Sequence, residues 1–226
     1  MNQFGHPAPL TPEYTKVAQE IVDWAREFLA KPLLQNRPYE PKEVCPFIKG
    51  SLDRNFFYML LHPEINGYSE AAIEELVTNY VGYFKALRPY SVEENFKTIL
   101  LVFPGINAKD YGVLDKVTKI VKDTFVKDHL LMLAAFYPGC TDKSIHDPTF
   151  LISQAPHPLI AIREMAFHDI IFLDDKEEWF DVYNRHFGKH WASMKPETLE
   201  TADAKTRYFY DRYEKARQKF SKKKTR

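Results

Sequence analysis

The sequence has few cysteines and few glycines, and these shortages exclude several kinds of site. Its 226 residues include only two cysteines, Cys45 and Cys140. There is no CxxC pair, so the usual zinc-site spacing is absent, and two free thiols in a reducing compartment are the default. A disulfide between the two cysteines stays open at this stage. With eight glycines, the chain offers no GxGxxG or GxxxxGK[ST] phosphate loop, which argues against a nucleotide-binding fold.

Targeting signals, long apolar runs and two common catalytic motifs are also lacking. The opening stretch "MNQFGHPAPLTPEYTK" has no basic region followed by an apolar one, which is the pattern of a signal peptide. No window approaches the ~18 apolar residues of a membrane span. Neither GxSxG nor HExxH occurs, so no serine hydrolase elbow or zinc protease helix is indicated. We therefore expect a cytoplasmic protein with no membrane partner.

Charge is balanced in total but unevenly distributed. Residues 213–226 hold seven basic residues against one Glu, which leaves 24 basic and 30 acidic residues in 1–212. A body of negative net charge is a poor nucleic-acid binder. We therefore expect a loose arm over 1–10, one catalytic or ligand-binding domain over 11–212, a solubilising basic tail over 213–226, and no nucleic-acid partner.

Periodic apolar residues predict a single α+β domain. Its sheet is expected to be mixed and mostly antiparallel, with about four or more strands covered by about five helices. Aromatic residues make up 15% of the chain, so bulky rings either fill the core or line a pocket for a flat apolar ligand. The predicted helices are 11–30, 68–87, 110–129, 174–190 and 201–220, and the predicted strands are 54–62, 96–105, 130–138 and 158–165.

One turn-rich segment, "FYPGCTDKSIHDPTF" (136–150), follows a predicted strand and contains His146 and Asp147. Loops held at strand ends are where ligand-binding residues concentrate, although a histidine in such a loop also serves as a plain turn residue. A 2-His-1-carboxylate iron site needs His-x-Asp. Both His146-Asp147 and His168-Asp169 lack the intervening residue, which counts against that site.

Three further features carry chemical meaning. A Cys-Pro dipeptide at Cys45 can present a thiolate to heme iron, or it is a structural cysteine. Arg163 lies in an apolar strand and needs an anionic partner, which is either a protein carboxylate such as Asp169 or Glu164 or the carboxylate of a ligand. His186 and His190 are four apart on a predicted helix, where such a pair either chelates a metal or is solvated.

Several motifs together resemble an uncharacterised bacterial family that is often encoded near natural-product genes. They are "VCPF" (44–47), "FYPG" (136–139), "IHDPTF" (145–150) and "PHPLIAIREMAFHDIIFL" (156–173). The family pattern has Cys-Pro-Phe, then Phe-His-Pro, Leu-His-Asn-Pro-x-Phe and Leu-Ala-Ile-Arg-x-Met. The resemblance runs from Thr11 to about His190. This sequence has Tyr137 where the pattern has histidine, so no imidazole role falls there.

A looser similarity, in layout, runs to heme-dependent N-hydroxylases that act on guanidines and amines. It implies heme b, a histidine axial ligand, and oxidation of a nitrogen by O2 or peroxide. Carried over by position, His146 becomes the axial iron ligand and Arg163 anchors a propionate or a substrate carboxylate. Cys45 would lie near the pocket, and Asp147 or a backbone carbonyl would fix the second nitrogen of His146.

The same resemblance implies that Phe136, Tyr137 and Phe150 border the cofactor. The first hypothesis is therefore a heme-dependent monooxygenase of natural-product biosynthesis that hydroxylates nitrogen on an amino-acid-like amine or guanidine. The second is a non-heme metal enzyme or a cofactor-free enzyme, with Cys45 as nucleophile and His146 as base. The third is a heme or small-ligand carrier without catalysis. A homodimer stays open.

Overall fold

The protein folds as one α+β domain, as the sequence predicts. The computed structural model describes residues 11–31, 43–67, 69–87, 96–145 and 147–221. The predicted arm over 1–10 lies outside these residues. The elements are α1 (Pro12–Trp24, continued by a π-helical turn, Ala25–Leu29), α2 (Ile48–Asp53), β1 (Phe57–Leu61), α3 (Glu70–Ala86), β2 (Thr98–Val102), α4 (Gly112–His129), β3 (Leu131–Phe136), β4 (Leu159–Glu164), α5 (Ile170–Leu173), α6 (Glu177–Ala192), α7 (Pro196–Thr201) and α8 (Ala204–Ser221).

The sheet is mixed, and its four strands lie in the order β1-β2-β4-β3. β1 and β2 are parallel, with α3 as the connection between them. β4 inserts between β2 and β3 and is antiparallel to both. Two of the three strand pairs are therefore antiparallel, which confirms the mixed, mostly antiparallel prediction.

Helices α3 and α4 cover one face of the sheet. Their apolar stripes, including Val77, Phe84, Val117 and Phe125, are buried against alternate residues of the strands. The stripes recur every three or four residues, and that spacing places them on a single helical face. Ser69 caps α3 as predicted, because its hydroxyl accepts a hydrogen bond from the Ala72 N–H.

Helix α1 covers part of the opposite face. Val17 and Ile21 pack against Val102 and Leu159 of the two central strands. At its C-terminal end, the Trp24 indole N–H donates to the carbonyl of Gln154 at 2.8 Å. This contact ties the helix to the loop that precedes β4. Helix α1 does not cover the rest of that sheet face.

The C-terminal helices form an aromatic cluster beside the sheet, and this finding corrects one predicted boundary. Helix α8 runs to Ser221, and Tyr213, Ala216 and Phe220 are buried within the cluster. Their spacing of three and four residues puts them on the inner face of α8. Residues 213–221 are thus part of the domain and not of a free tail.

The predicted helices correspond to the five long helices of the described residues, and the other three α-helices there are short. α2, α5 and α7 have only four to six residues each, too few for a periodic apolar pattern to stand out. The strands are also shorter than predicted, with five or six residues each. No helix in the described part of the chain is long and apolar enough to cross a membrane.

Candidate functional site

A cavity of about 530 Å³ opens on the sheet face that α1 leaves uncovered. Its floor consists of two alternate rows of paired strand residues, which point to the same face of the sheet. One row pairs Leu100, Ala161 and Ala134 across β2, β4 and β3, and the other pairs Thr98, Arg163 and Met132 in the same order. Ala161 and Ala134 each carry only a methyl group, so the space above the strands stays open at these two positions.

The walls come from segments far apart in the sequence. Trp24 and Leu29 come from the end of α1, and residues 44–48 contribute from the start of α2. The loop that follows β3 contributes residues 142–145 and 152–153. On the remaining side lie residues 168–172 together with Phe209 of α8. All four motif-bearing segments identified in the sequence therefore contribute to one cavity.

Cys45 lines this cavity as a free, half-buried thiol. Burial raises its pKa, although the Arg163 guanidinium and the backbone N–H groups of Phe47 and Ile48 pull in the opposite direction. The thiol is therefore protonated at neutral pH, which counts against a ready-made thiolate nucleophile. The backbone N–H groups of Phe47 and Ile48 favour the thiolate form of the sulfur. Cys140 is also free, so no disulfide joins the two cysteines.

Arg163 has the protein carboxylate that the sequence analysis offered as one alternative. Its Nη1 donates to Asp169 Oδ2 at 2.7 Å and its Nη2 donates to Asp169 Oδ1 at 2.6 Å. Nη1 also donates to the Glu164 carbonyl, and the guanidinium lies over the Phe47 ring at 4.5 Å. Asp169 already neutralises the positive charge of Arg163, so a ligand carboxylate would have to compete with Asp169 for the guanidinium. The predicted role of Arg163 as the anchor of such a carboxylate stays a prediction.

His168 lines the same cavity, and the sequence analysis did not select it as a site residue. Its ring lies edge-on to Phe209 with centroids 4.8 Å apart, and neither of its buried nitrogens has a partner among the described residues. Burial, and then the positive charges of Lys205 and Arg163, lower its pKa from 6.5 to about 3. His168 is therefore neutral at physiological pH.

The two polar residues predicted within the 136–150 loop have different outcomes. His146, the predicted axial ligand, lies outside the described residues. The Asp147 carboxylate accepts hydrogen bonds from the backbone N–H and the hydroxyl of Thr149 at 2.9 and 2.6 Å. That geometry is an Asx turn, and Asp147 is not among the residues that line the cavity.

Only one of the three predicted aromatic residues lines the cavity. Phe136 lines it beside Trp24, with ring centroids 5.6 Å apart. Tyr137 points to the α4 side of the sheet, where its hydroxyl donates to Asp115 Oδ2 at 2.6 Å. Phe150 stacks on Phe28 and packs in a small apolar cluster. Phe136 and Tyr137 differ because neighbouring residues along a strand point to opposite faces of the sheet.

The helical histidine pair gives no metal site. His186 and His190 are both exposed on α6. Among the described residues, no group of three or more His, Cys, Asp or Glu side chains is arranged to hold a metal ion. A metal held by the described part of the chain would therefore need most of its ligands from elsewhere.

Comparison with known proteins gives one match. Residues 18–198 match the family model described as Domain of unknown function (DUF6875). This span covers all four strands and most of the cavity lining, and Lys205 and Phe209 of α8 lie beyond it. No curated protein and no solved structure matches the chain.

Proposed function

The chain belongs to the DUF6875 family, and we propose that it is a heme-dependent oxidoreductase whose cavity holds both the cofactor and an amine substrate. The observation that carries the proposal is Cys45, a free thiol that lines an apolar cavity near the backbone N–H groups of Phe47 and Ile48, which favour its thiolate form. Backbone N–H groups around a cysteine sulfur are a means by which proteins tune a heme thiolate. The cytoplasmic location and the N-hydroxylase activity belong to the same proposal.

The donor set of the cavity fits heme better than it fits a bare metal ion. A macrocycle brings four nitrogens to its iron, so the protein needs to supply one axial ligand. Among the described side chains, Cys45 and the neutral His168 both line the cavity and could take this role, and the proposal assigns it to Cys45. His146, which the resemblance favours, stays a further candidate outside the described residues. Cys45 and His146 predict different spectra and so are readily separated.

The size and lining of the cavity also fit a flat apolar cofactor. Ligand sites commonly have volumes of roughly 300–1,000 Å³ and mostly apolar walls with a few polar groups. The volume of about 530 Å³ lies within that range. Heme supplies the oxidising chemistry when it is bound, and the protein controls access, polarity and orientation.

The residues of the chain have clear roles in such a reaction. Apolar walls limit the access of water, and the Arg163–Asp169 pair holds the β4 end and the start of α5 at fixed positions beside the cofactor. With peroxide as the oxidant, an amine N–H and H2O2 give N–OH and water. With O2 the same product needs two electrons and two protons from a separate donor.

The proposed activity is tested by turnover of the heme-loaded protein. The protein is incubated with peroxide, or with O2 and a reductant, and with a panel of amines, guanidines and amino acids. Mass spectrometry is expected to find a product that has gained one oxygen on nitrogen. A heme-loaded protein that oxidises no member of the panel would instead be a carrier.

A further inference from the structure

Two lysines lie over the ring of Trp179, and their surroundings differ. The Lys122 Nζ is 4.1 Å from the ring centroid and the Lys176 Nζ is 4.6 Å away. Lys176 is exposed and forms an ion pair with Asp123. Lys122 also lines the cavity, which Lys176 does not.

Lys122 has no ion-pair partner among the described residues, since none of their carboxylates comes within 4.0 Å of its Nζ. Its side chain is partly buried, and burial lowers its pKa while the more distant Asp175 and Asp169 act in the opposite direction. A partly buried ammonium group without a counter-charge is costly unless another anion approaches it. The cavity is the space from which such an anion can come.

The other charged residues of the cavity leave an excess of positive charge. Arg163 and Asp169 neutralise each other, as described above. Asp142 is then the remaining acidic side chain of the lining, against Lys122 and Lys143. The Thr98 hydroxyl on the floor also lacks a hydrogen-bond partner within the described structure. Around these polar groups the lining is mostly apolar.

We infer that the cavity takes an apolar ligand that carries a carboxylate or a similar anionic group, and that Lys122 binds this group. The inference deepens the proposed function and rests on the same cavity, because heme is an apolar ring with two propionates. It extends to a substrate carboxylate, and it assigns to Lys122 the anchoring role that the sequence analysis gave to Arg163. Its test needs no heme.

The test compares two fluorescent probes that differ in charge. The first is 1-anilinonaphthalene-8-sulfonate, which is apolar and anionic, and the second is N-phenyl-1-naphthylamine, which has the same rings without the sulfonate. Wild-type protein is expected to bind the anionic probe more tightly. Lys122→Met is expected to weaken binding of the anionic probe by about tenfold and to change binding of the neutral probe by less than about twofold.

Two variants serve as controls. Lys176→Met removes the other lysine from Trp179 and should leave the binding of both probes unchanged. Lys122→Arg keeps the charge and should restore most of the affinity for the anionic probe. Circular dichroism confirms that each variant is folded.

The inference is overturned if Lys122→Met binds the anionic probe as wild type does, or if it loses both probes equally. It is also overturned if wild-type protein binds the anionic probe no better than the neutral one. Failure of the heme proposal looks different: the protein would discriminate between the probes through Lys122 and yet give no heme spectrum.

Discussion

Arg163 and Asp169 form a two-pronged ion pair at the edge of the cavity, with N–O distances of 2.7 and 2.6 Å. Asp169 is almost fully buried, at 1% exposure, and it also accepts the Ala166 backbone N–H at 2.8 Å. The pair thus joins β4 to the turn that leads into α5, and this turn carries His168 into the cavity wall. The cavity wall around His168 therefore depends on this ion pair.

Removing the guanidinium is therefore expected to destabilise the fold. Arg163→Gln leaves a buried carboxylate without its counter-charge, and the expected loss in the free energy of unfolding is about 3–5 kcal/mol. Urea unfolding measures it. Arg217→Gln is the matched control, since Arg217 makes a similar two-pronged contact with Glu214 on the exposed side of α8. That change should cost about 1 kcal/mol or less. Equal losses in the two variants would contradict this account.

His168 is neutral and has no hydrogen-bond partner among the described residues, so it predicts a particular dependence of stability on pH. Its pKa is about 3 in the folded protein and near 6.5 in the unfolded chain. The unfolded state therefore binds more protons between these values, and stability falls as the pH drops below about 6.5, by at most about 1.4 kcal/mol per pH unit.

This dependence is measured by urea unfolding at pH 7.5 and pH 5. Wild type should lose more stability over that interval than His168→Gln, which cannot titrate. His186→Gln changes an exposed histidine of α6 and should behave as wild type does. If His168→Gln and wild type lose the same amount, His168 is not held neutral by burial.

The two thiols should differ in their effect on a heme spectrum. Cys45→Ser removes the proposed iron ligand and should shift or abolish the Soret band, whereas Cys140→Ser should leave it unchanged, because Cys140 is buried outside the cavity lining. Absorption spectra of the reduced protein with CO give the comparison. If His146→Ala loses the band and Cys45→Ser keeps it, the axial ligand is His146, as the resemblance implies.

Filling the cavity floor should block ligand binding without unfolding the protein. Ala134 is an exposed residue of the edge strand β3 and faces the cavity. Ala134→Leu is expected to weaken hemin binding by about tenfold or more, since the added atoms occupy ligand space. Ala71→Leu places the same side chain on the exposed side of α3 and should have no effect. Unchanged hemin affinity in Ala134→Leu would place the heme elsewhere.

Local sequence patterns predicted the long elements but could not predict how the strands pair. The apolar stripes of α3 and α4 and the Ser69 cap are local signals, and the structure has them where they were expected. The insertion of β4 between β2 and β3 depends on contacts between residues some 60 positions apart, such as Leu101 and Ile160. No periodicity encodes such a choice of partner.

Residues of the site could be predicted where their type is unusual for the local sequence around them. Arg163 stood out because it is charged within an apolar strand, and Cys45 stood out beside a proline. His168 gave only a weak signal, since its burial depends on Phe47 and Phe209 from distant parts of the chain. Lys122 resembles any solvated lysine of α4 in sequence, and only the position of Trp179 and the cavity distinguishes it.

The central claim is that the cavity binds heme, and one absorption spectrum tests it most directly. The protein is expressed with iron and a heme precursor, purified, and measured oxidised and then reduced with CO. We predict a Soret band, with a CO complex of the thiolate type if Cys45 is the ligand. A colourless protein that takes up no added hemin would contradict the account.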